Sequence, residues 1–376
     1  MRAGASARVG MVGAGQLARM TQRAAIDLGV ALTVLAEDAD APAAAAGAGV
    51  EAGAPDDPAA LDRLAARVDV VTFDHELVDG AALARMAARG VAVRPGPAAL
   101  ACAQDKLLAR ETFARLGLPG PAHAVASDEA GVGALAADHG WPLVAKARRG
   151  GYDGRGVAVV ADADALAVVL ARGGEWIVEQ RVPIAVEVAV VLARRPGGGI
   201  AVYPVVETLQ RDGICHELVM PARVSADVAA RAVAVATALA DGIDAVGICA
   251  VELFVTTDGE VLVNEIALRP HNSGHATIEG AVTSQFHNHL RAVLDWPLGD
   301  TALRAPVAAT VNVLGADDGD VAARLPAALA VPGAHVHLYG KTSRPGRKLG
   351  HVTVLGDDAE AALTAARRAA RALTRG

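Results

Sequence analysis

Two strand-like runs, Cys249-Ala250-Val251-Glu252-Leu253-Phe254 and Val261-Leu262-Val263-Asn264-Glu265-Ile266, each carry one glutamate and are separated by Asp258-Gly259, a favoured two-residue hairpin turn. A hairpin closed by that turn sets Glu252 directly opposite Glu265, with Cβ atoms ~5 Å apart. Like charges so placed repel unless one carboxylate stays protonated, a Lys or Arg sits between them, or a divalent cation does. Two carboxylates completed by phosphate oxygens and water form the oxygen-rich shell that magnesium takes with a nucleotide.

A second cluster has the chemistry to meet that nucleotide. Gly150-Gly151-Tyr152-Asp153-Gly154-Arg155-Gly156 lies between two apolar runs and is flanked by Lys146, Arg148 and Arg149. Four glycines in seven residues suit a loop whose backbone N–H groups wrap phosphate oxygens, and the basic side chains supply the opposing charge. No G-K-[ST] ends the loop, so it is not a Walker A motif. A third cluster, Arg269-Pro270-His271-Asn272-Ser273-Gly274-His275, follows the second glutamate. Proline and glycine make it a loop, which separates its two histidines from the helix-borne H-E-x-x-H zinc pattern, and its density of polar groups suits contact with a substrate.

A fourth signal is ambiguous. Gly13-Ala14-Gly15-Gln16-Leu17-Ala18 with Glu37 downstream satisfies the G-x-G-x-x-G/A spacing of a dinucleotide site. The glycines require only a tight turn and the close approach of some polar or anionic group to a helix N-terminus. An NAD-dependent oxidoreductase and a doubly wound domain with another task both remain open from this motif alone.

Apolar runs of strand length alternate with alanine-rich helical stretches, the pattern of α/β domains with parallel sheets. Strands are expected at 8–12, 32–36 and 68–73, with helices at 16–28 and 61–67. Turn-rich breaks at Arg94-Pro95-Gly96-Pro97 and Trp296-Pro297-Leu298-Gly299 divide the 376 residues into segments 1–98, 99–296 and 297–376. The net charge of −7 and the 3% aromatic content argue against nucleic-acid binding. Hydrophobic residues reach 53%, but alanine supplies much of this, and no run approaches the ~18 apolar residues of a spanning helix. The glycine-broken start does not read as a signal peptide. Cys102, Cys215 and Cys249 are too scattered for a disulfide framework or a zinc knuckle, and fit free thiols in a reducing cytoplasm.

Taken in order, Gly13-x-Gly15-Gln16-Leu17-x-Arg19-Met20, Gln104-Asp105-Lys106, Gly150-Gly151-Tyr152-Asp153-Gly154, Tyr203-Pro204-Val205-x-Glu207, Asn264-Glu265-Ile266-Ala267, Arg269 to His275, Ser284-Gln285-Phe286 and Tyr339-Gly340-Lys341 resemble the PurK family of ATP-grasp enzymes, the 5-(carboxyamino)imidazole ribonucleotide synthases. The resemblance runs from about residue 8 to about residue 353. It implies an α/β fold of three domains: an N-terminal doubly wound parallel-sheet domain, an ATP-grasp body and a small C-terminal domain. It further implies ATP- and bicarbonate-dependent carboxylation of 5-aminoimidazole ribonucleotide, with Mg2+, in a homodimer.

By that resemblance Lys106 and Lys146 hold nucleotide phosphates, and Gly151, Tyr152, Asp153, Gly154, Arg155, Gly156 and Val157 cover them. Glu179, Gln180, Arg181 and Val182 form the adenine hinge, Glu187 meets the ribose, and Gln210 and Asn264 complete the nucleotide site. Glu252 and Glu265 bind magnesium. Tyr152, Asp153, Arg155, Arg269, His271 and Asn272 serve the carboxylation, with Glu76 beside them. Gly15, Gln16 and Leu17 contact the ribotide, and Lys341, Arg347 and Lys348 take its phosphate. The chain departs from the family pattern at Asp74, Arg155, Gln180, Gln210 and Leu268. Other ATP-grasp ligases, acting on formate and a ribotide or on biotin, are the nearest alternatives, and a nucleotide-binding regulator without turnover is a third.

Overall fold

The computed structural model describes residues 6–151, 155–316 and 320–374. The chain opens with four parallel strands, β1 (Arg8–Val12), β2 (Ala31–Ala36), β3 (Gly49–Ala52) and β4 (Val70–Phe73), in spatial order β3-β2-β1-β4. Helices cover both faces, which is why these strands are nearly continuous apolar runs. The helix Gln16–Leu28 packs on Val9, Met11 and Val34, whereas the helices Pro58–Ala65 and Gly80–Ala88 pack on Val12, Leu35 and Phe73. The second helix starts earlier than the apolar pattern indicates, because Asp57 caps it and Pro58 fills its first turn, where a missing N–H costs nothing. β3 has no counterpart among the expected strands.

Strand order reverses between β1 and β4, so the loops leaving these two strands open onto one crevice. Gly13 to Gln16 thereby comes beside Asp74 and His75.

A small antiparallel sheet follows, with β5 (His123–Val125), β6 (Leu143–Ala147), β7 (Val157–Val160) and β8 (Trp176–Gln180) in the order β5-β8-β6-β7. The chain then crosses at residues 181–183 into a nine-stranded antiparallel sheet. It contains β9 (Ile184–Arg194), β10 (Ile200–Val202), β11 (Val206–Arg211), β12 (Ile214–Met220), β13 (Gly247–Thr256), β14 (Val261–Ala267), β15 (Val307–Leu314), β16 (Ala334–Leu338) and β17 (Lys348–Gly356). The order is β14-β13-β9-β11-β12-β15-β17-β16, with β10 on β9. The C-terminal strands therefore extend the sheet of the body through the β12–β15 pairing. One face of β9 and β13 packs against alanines of the helix Ala226–Gly242, whose small side chains let helix and sheet lie close. All three cysteines are buried and none is in a disulfide. Among the described residues no helix is long and apolar enough to cross a membrane.

The β13–β14 hairpin pairs Glu252 with Glu265, as expected from the sequence, but by a different route. The loop holds three residues rather than two: Thr256 pairs with Glu260 and Gly259 takes a left-handed φ of 85°. That shifts the register by one residue along the outer part of the hairpin. An extra residue in β14, Asn264, shifts it back at a bulge between Glu252 and Leu253.

Candidate active site

Strand pairing and helix pitch bring the first group of charges together. On the small sheet Glu179 faces Val144, so Lys146, two residues on, is its diagonal neighbour on the same side. Lys146 Nζ lies 2.7 Å from Glu179 and 2.9 Å from Asn264 Oδ1. Arg110 lies 2.6 Å from the other Glu179 oxygen and also donates to the Asn264 carbonyl. Both Arg110 and Glu179 are buried, and the two cations hold the Glu179 carboxyl below its usual range against the cost of its burial. Lys106, one helical turn before Arg110, lies 3.0 Å from Glu265.

Asp105 anchors this arrangement. It caps the helix Lys106–Arg115 and receives Arg148 at 2.8 Å and Arg149 at 2.6 Å, while the Lys106 N–H donates to the Arg148 carbonyl. Arg148 and Arg149, read from sequence as phosphate charges, here pin the base of the glycine loop to that helix. Asp105 and Arg110 were not singled out individually. A capping Asp before a helix, and a cation four residues after Lys106, were the signals available.

The second group lies where β14 ends. Arg269 Nε is 2.8 Å from Glu76, and the loop holding Glu76 is fixed by Gln104 Nε2, which donates to the Glu76 and Val78 carbonyls. Gln285 latches the His271 peptide from both sides, accepting its N–H at 2.9 Å and donating to its carbonyl at 2.7 Å. Gly274 is obligatory here, since a Cβ would stand 2.3 Å from Gln285 Oε1. His271 Nε2 is 3.4 Å from Glu252. Burial, then Arg269 and Lys348, keep His271 well below the ordinary histidine range, so its ring is neutral. Among the described residues the buried Glu76 Oε1 and both amide atoms of Asn272 have no hydrogen-bond partner, which marks where a polar ligand belongs.

The Gly13-Ala14-Gly15 turn is filled from within. Asp74 accepts the backbone N–H groups of Gly15 and of Ala18, the latter at 3.0 Å, and so caps the helix Gln16–Leu28. A Cβ on Gly15 would stand 2.7 Å from Asp74 Oδ2, and Gly13 has a left-handed φ of 96°. The anion this helix terminus receives is thus the chain's own carboxylate. Gln16, next in line, accepts from Lys341 Nζ and joins the first segment to the last. Burial, then Arg347, lower Lys341 to about 8, while Asp74 works in the opposite direction.

The other expected residues divide. Leu17 is buried in the N-terminal core, which leaves only its backbone for a ligand. Gln180 accepts from the Ala122 N–H, Val182 is buried, and Arg181, Arg155 and Val157 are exposed. Gly151 and Gly156 flank the glycine loop, while Tyr152, Asp153 and Gly154 lie outside the described residues. Glu187 sits on β9 and Gln210 on β11, where the ladder is irregular. Arg347 donates to the Thr342 carbonyl, and Lys348 opens β17.

The donors suit a nucleotide with a hard cation. Glu252 is pushed up to about 7 by burial and then by Glu265 and Glu187, which outweigh the opposing charges of Lys348 and Arg269. Among the described residues no three His, Cys, Asp or Glu side chains converge on one point. An ion there would draw its remaining ligands from phosphate and water.

Three segments match known domains: residues 6–104 the ribonucleotide synthetase preATP-grasp domain, 111–286 the ATP-grasp domain, and 308–365 the phosphoribosylaminoimidazole carboxylase C-terminal domain. The N5-carboxyaminoimidazole ribonucleotide synthase of Mycobacterium tuberculosis (strain ATCC 25618 / H37Rv) is 50% identical over 98% of this chain and 88% of that protein. The solved N5-carboxyaminoimidazole ribonucleotide synthetase of Thermus thermophilus superposes with a TM-score of 0.87 at 36% identity, over 98% of this chain and 99% of that one. The Aspergillus clavatus synthase, solved with ADP and 5-aminoimidazole ribonucleotide, gives 0.90 at 32% identity over 98% of each chain. With these likenesses along nearly its whole length, the chain belongs to the N5-carboxyaminoimidazole ribonucleotide synthase family of ATP-grasp enzymes.

Proposed function

We infer that the chain couples ATP cleavage to carboxylation of 5-aminoimidazole ribonucleotide by bicarbonate, a step of purine synthesis. Bicarbonate is a poor electrophile. Its oxygen attacks the γ-phosphorus of ATP and ADP leaves. The resulting carboxyphosphate then yields phosphate and carbon dioxide, which the exocyclic amine of the ribotide captures with loss of a proton. The protein's work is to neutralise charge, to position, and to exclude water.

In this reading Lys106 and Lys146 hold the transferring phosphates, and Glu179 and Arg110 hold Lys146 in turn. Hinge contacts to adenine come from the backbone at 180–182, because the Glu179 carboxylate is turned inward, and Glu187 meets the ribose. Glu252 and Glu265 would hold magnesium, which would supply positive charge to offset the negative charge developing on the phosphoryl group. Arg269, His271 and Asn272, with Tyr152, Asp153 and Arg155 of the glycine loop, surround bicarbonate and the reacting amine. Gln16 and Lys341, with Arg347 and Lys348, take the ribotide phosphate. The three domains correspond to 1–98, 99–296 and 297–376, and the enzyme works as a homodimer in the cytoplasm.

The observation that carries this reading is the juxtaposition of the Glu252–Glu265 pair with the unpartnered amide of Asn272 across His271. It couples a phosphoryl-transfer centre to a polar acceptor pocket. ADP release that requires both bicarbonate and 5-aminoimidazole ribonucleotide is the expected result. Release indifferent to either one would overturn the reading.

A further inference from the structure

Behind the acceptor pocket three imidazoles stack in a column that the chemistry above leaves unused. His351 on β17 lies between His275 and His337, with ring centroids 4.6 Å away on each side and interplanar angles of 21° and 19°. His275 continues the column to Phe286 at 6.2 Å. At the other end His337 Nε2 meets Glu279 at 2.7 Å. Tyr339 clips the middle ring, its hydroxyl 2.7 Å from His351 Nδ1. His275 and His351 are fully buried, and among the described residues His275 Nδ1 and His351 Nε2 have no hydrogen-bond partner. Such isolation holds both rings neutral: burial takes His275 down to about 3 and His351 well below its ordinary value, and the charges of Lys348 and Arg269 work on His275 in the same direction.

The members of the column come from two parts of the chain. His275 and Glu279 follow directly on the loop bearing Arg269, His271 and Asn272. His337 and His351 are cross-strand partners in the β16–β17 hairpin, whose connecting segment carries Lys341 and Arg347 and whose second strand opens with Lys348. The two parts meet through stacked flat rings, with the His337–Glu279 contact as a polar tie at one end, so ring shape helps set their spacing.

We propose that the His275–His351–His337 column is a positioning device that fixes the distance between the loop holding the reacting amine and the hairpin gripping the ribotide phosphate. The proposal rests on the assignment of Lys341 to Lys348 to that phosphate. Its members are positioning residues and touch no substrate.

Two substitutions of the middle ring separate stacking from hydrogen bonding. His351→Asn keeps a polar partner for Tyr339 and loses the stack, whereas His351→Phe keeps the stack and loses the polar partner. In full-length enzyme His351→Asn should raise the Michaelis constant for 5-aminoimidazole ribonucleotide ~tenfold, leaving kcat and the ATP constant within ~twofold, and His351→Phe should stay within ~threefold of wild type throughout. Amide exchange of the ligand-free protein should quicken over residues 334–351 in the Asn variant alone. If His351→Asn does not fold, His337→Ala takes its place, removing the ring at the column's partly exposed end. An unchanged ribotide constant in His351→Asn, equal impairment of both variants, or ribotide and ATP constants rising together would each overturn the proposal. A wild-type enzyme without ribotide-dependent turnover would instead overturn the proposed function, and amide exchange would still test the column.

Discussion

The two halves of the site handle polar groups in opposite ways. On the nucleotide side Lys106, Arg110, Lys146, Glu179 and Glu265 are held in ion pairs with one another. On the acceptor side Glu76 and Asn272 bury polar atoms that none of the described residues satisfies. A ligand with many negative charges must be met by cations, and cations left unpaired in a cleft are costly, so they are stored against carboxylates until phosphates replace them. A small neutral amine and a bicarbonate bring few charges. Binding them well requires donors and acceptors already stripped of water and held rigid, here by Gln285, Gln104 and Arg269. The difference shows that one half exchanges partners on binding while the other is built in advance.

The largest effect should break the nucleotide side. Glu265→Gln removes a charge from the cation's shell and frees Lys106, and turnover should fall at least ~10²-fold with saturating substrates. Near-normal turnover at ordinary magnesium concentration would remove Glu265 from the metal site. Next in size, Lys341→Ala should raise the Michaelis constant for the ribotide by roughly tenfold while moving that for ATP less than about twofold, since one charge-assisted contact to a phosphate is lost. Movement of the ATP constant alone would place Lys341 on the wrong side of the comparison.

A smaller loss is expected where the halves share a support. Asp74→Ala strips two N–H groups of their acceptor at the start of the helix Gln16–Leu28, and chemical denaturation should show a loss of ~1 kcal/mol. The ribotide constant should rise modestly with it, through the displaced Gln16. Unchanged stability would mean that the cap contributes nothing. The smallest effect concerns acid. His275 titrates near 3 in the folded chain and near 6.5 when unfolded. The stabilisation from its neutral form is complete above the unfolded value and is lost as pH falls from there toward the folded one. Between pH 7 and pH 6 that loss is ~0.7 kcal/mol, and it should vanish in His275→Phe when denaturation midpoints at the two pH values are compared. An equal pH dependence in the variant would show that other groups dominate.

Much of the site was legible because its chemistry is local in sequence. The glycine loop, the Arg269 to His275 loop and the two glutamates announce themselves by residue type. The Glu252–Glu265 pairing was also reached by counting, although the count assumed a regular ladder and a two-residue loop. Two one-residue departures cancel, and neither has a sequence signature, because a bulge reflects how neighbouring strands must twist rather than any residue preference. The Gly13-Ala14-Gly15 turn was the reverse case: the pattern showed that something anionic or polar approaches the helix, and only the β1–β4 adjacency shows that it is Asp74. Arg148 and Arg149 were read for their charge and Glu179 as part of the adenine hinge, and their partners, Asp105, Arg110 and Lys146, come from other elements.

By itself, then, the sequence determined the alternation of strands and helices, the carboxylate pair, the loops that could bind phosphates, and a family resemblance consistent with all of them. These follow from periodicity, backbone freedom and side-chain chemistry, which act within a few residues. Tertiary structure alone decided which charges neutralise one another, which polar atoms stay unpartnered, and that three histidines from distant segments form one column. Those outcomes depend on distances of a few ångströms between residues far apart in the chain, and on burial that turns a small displacement into a large electrostatic cost.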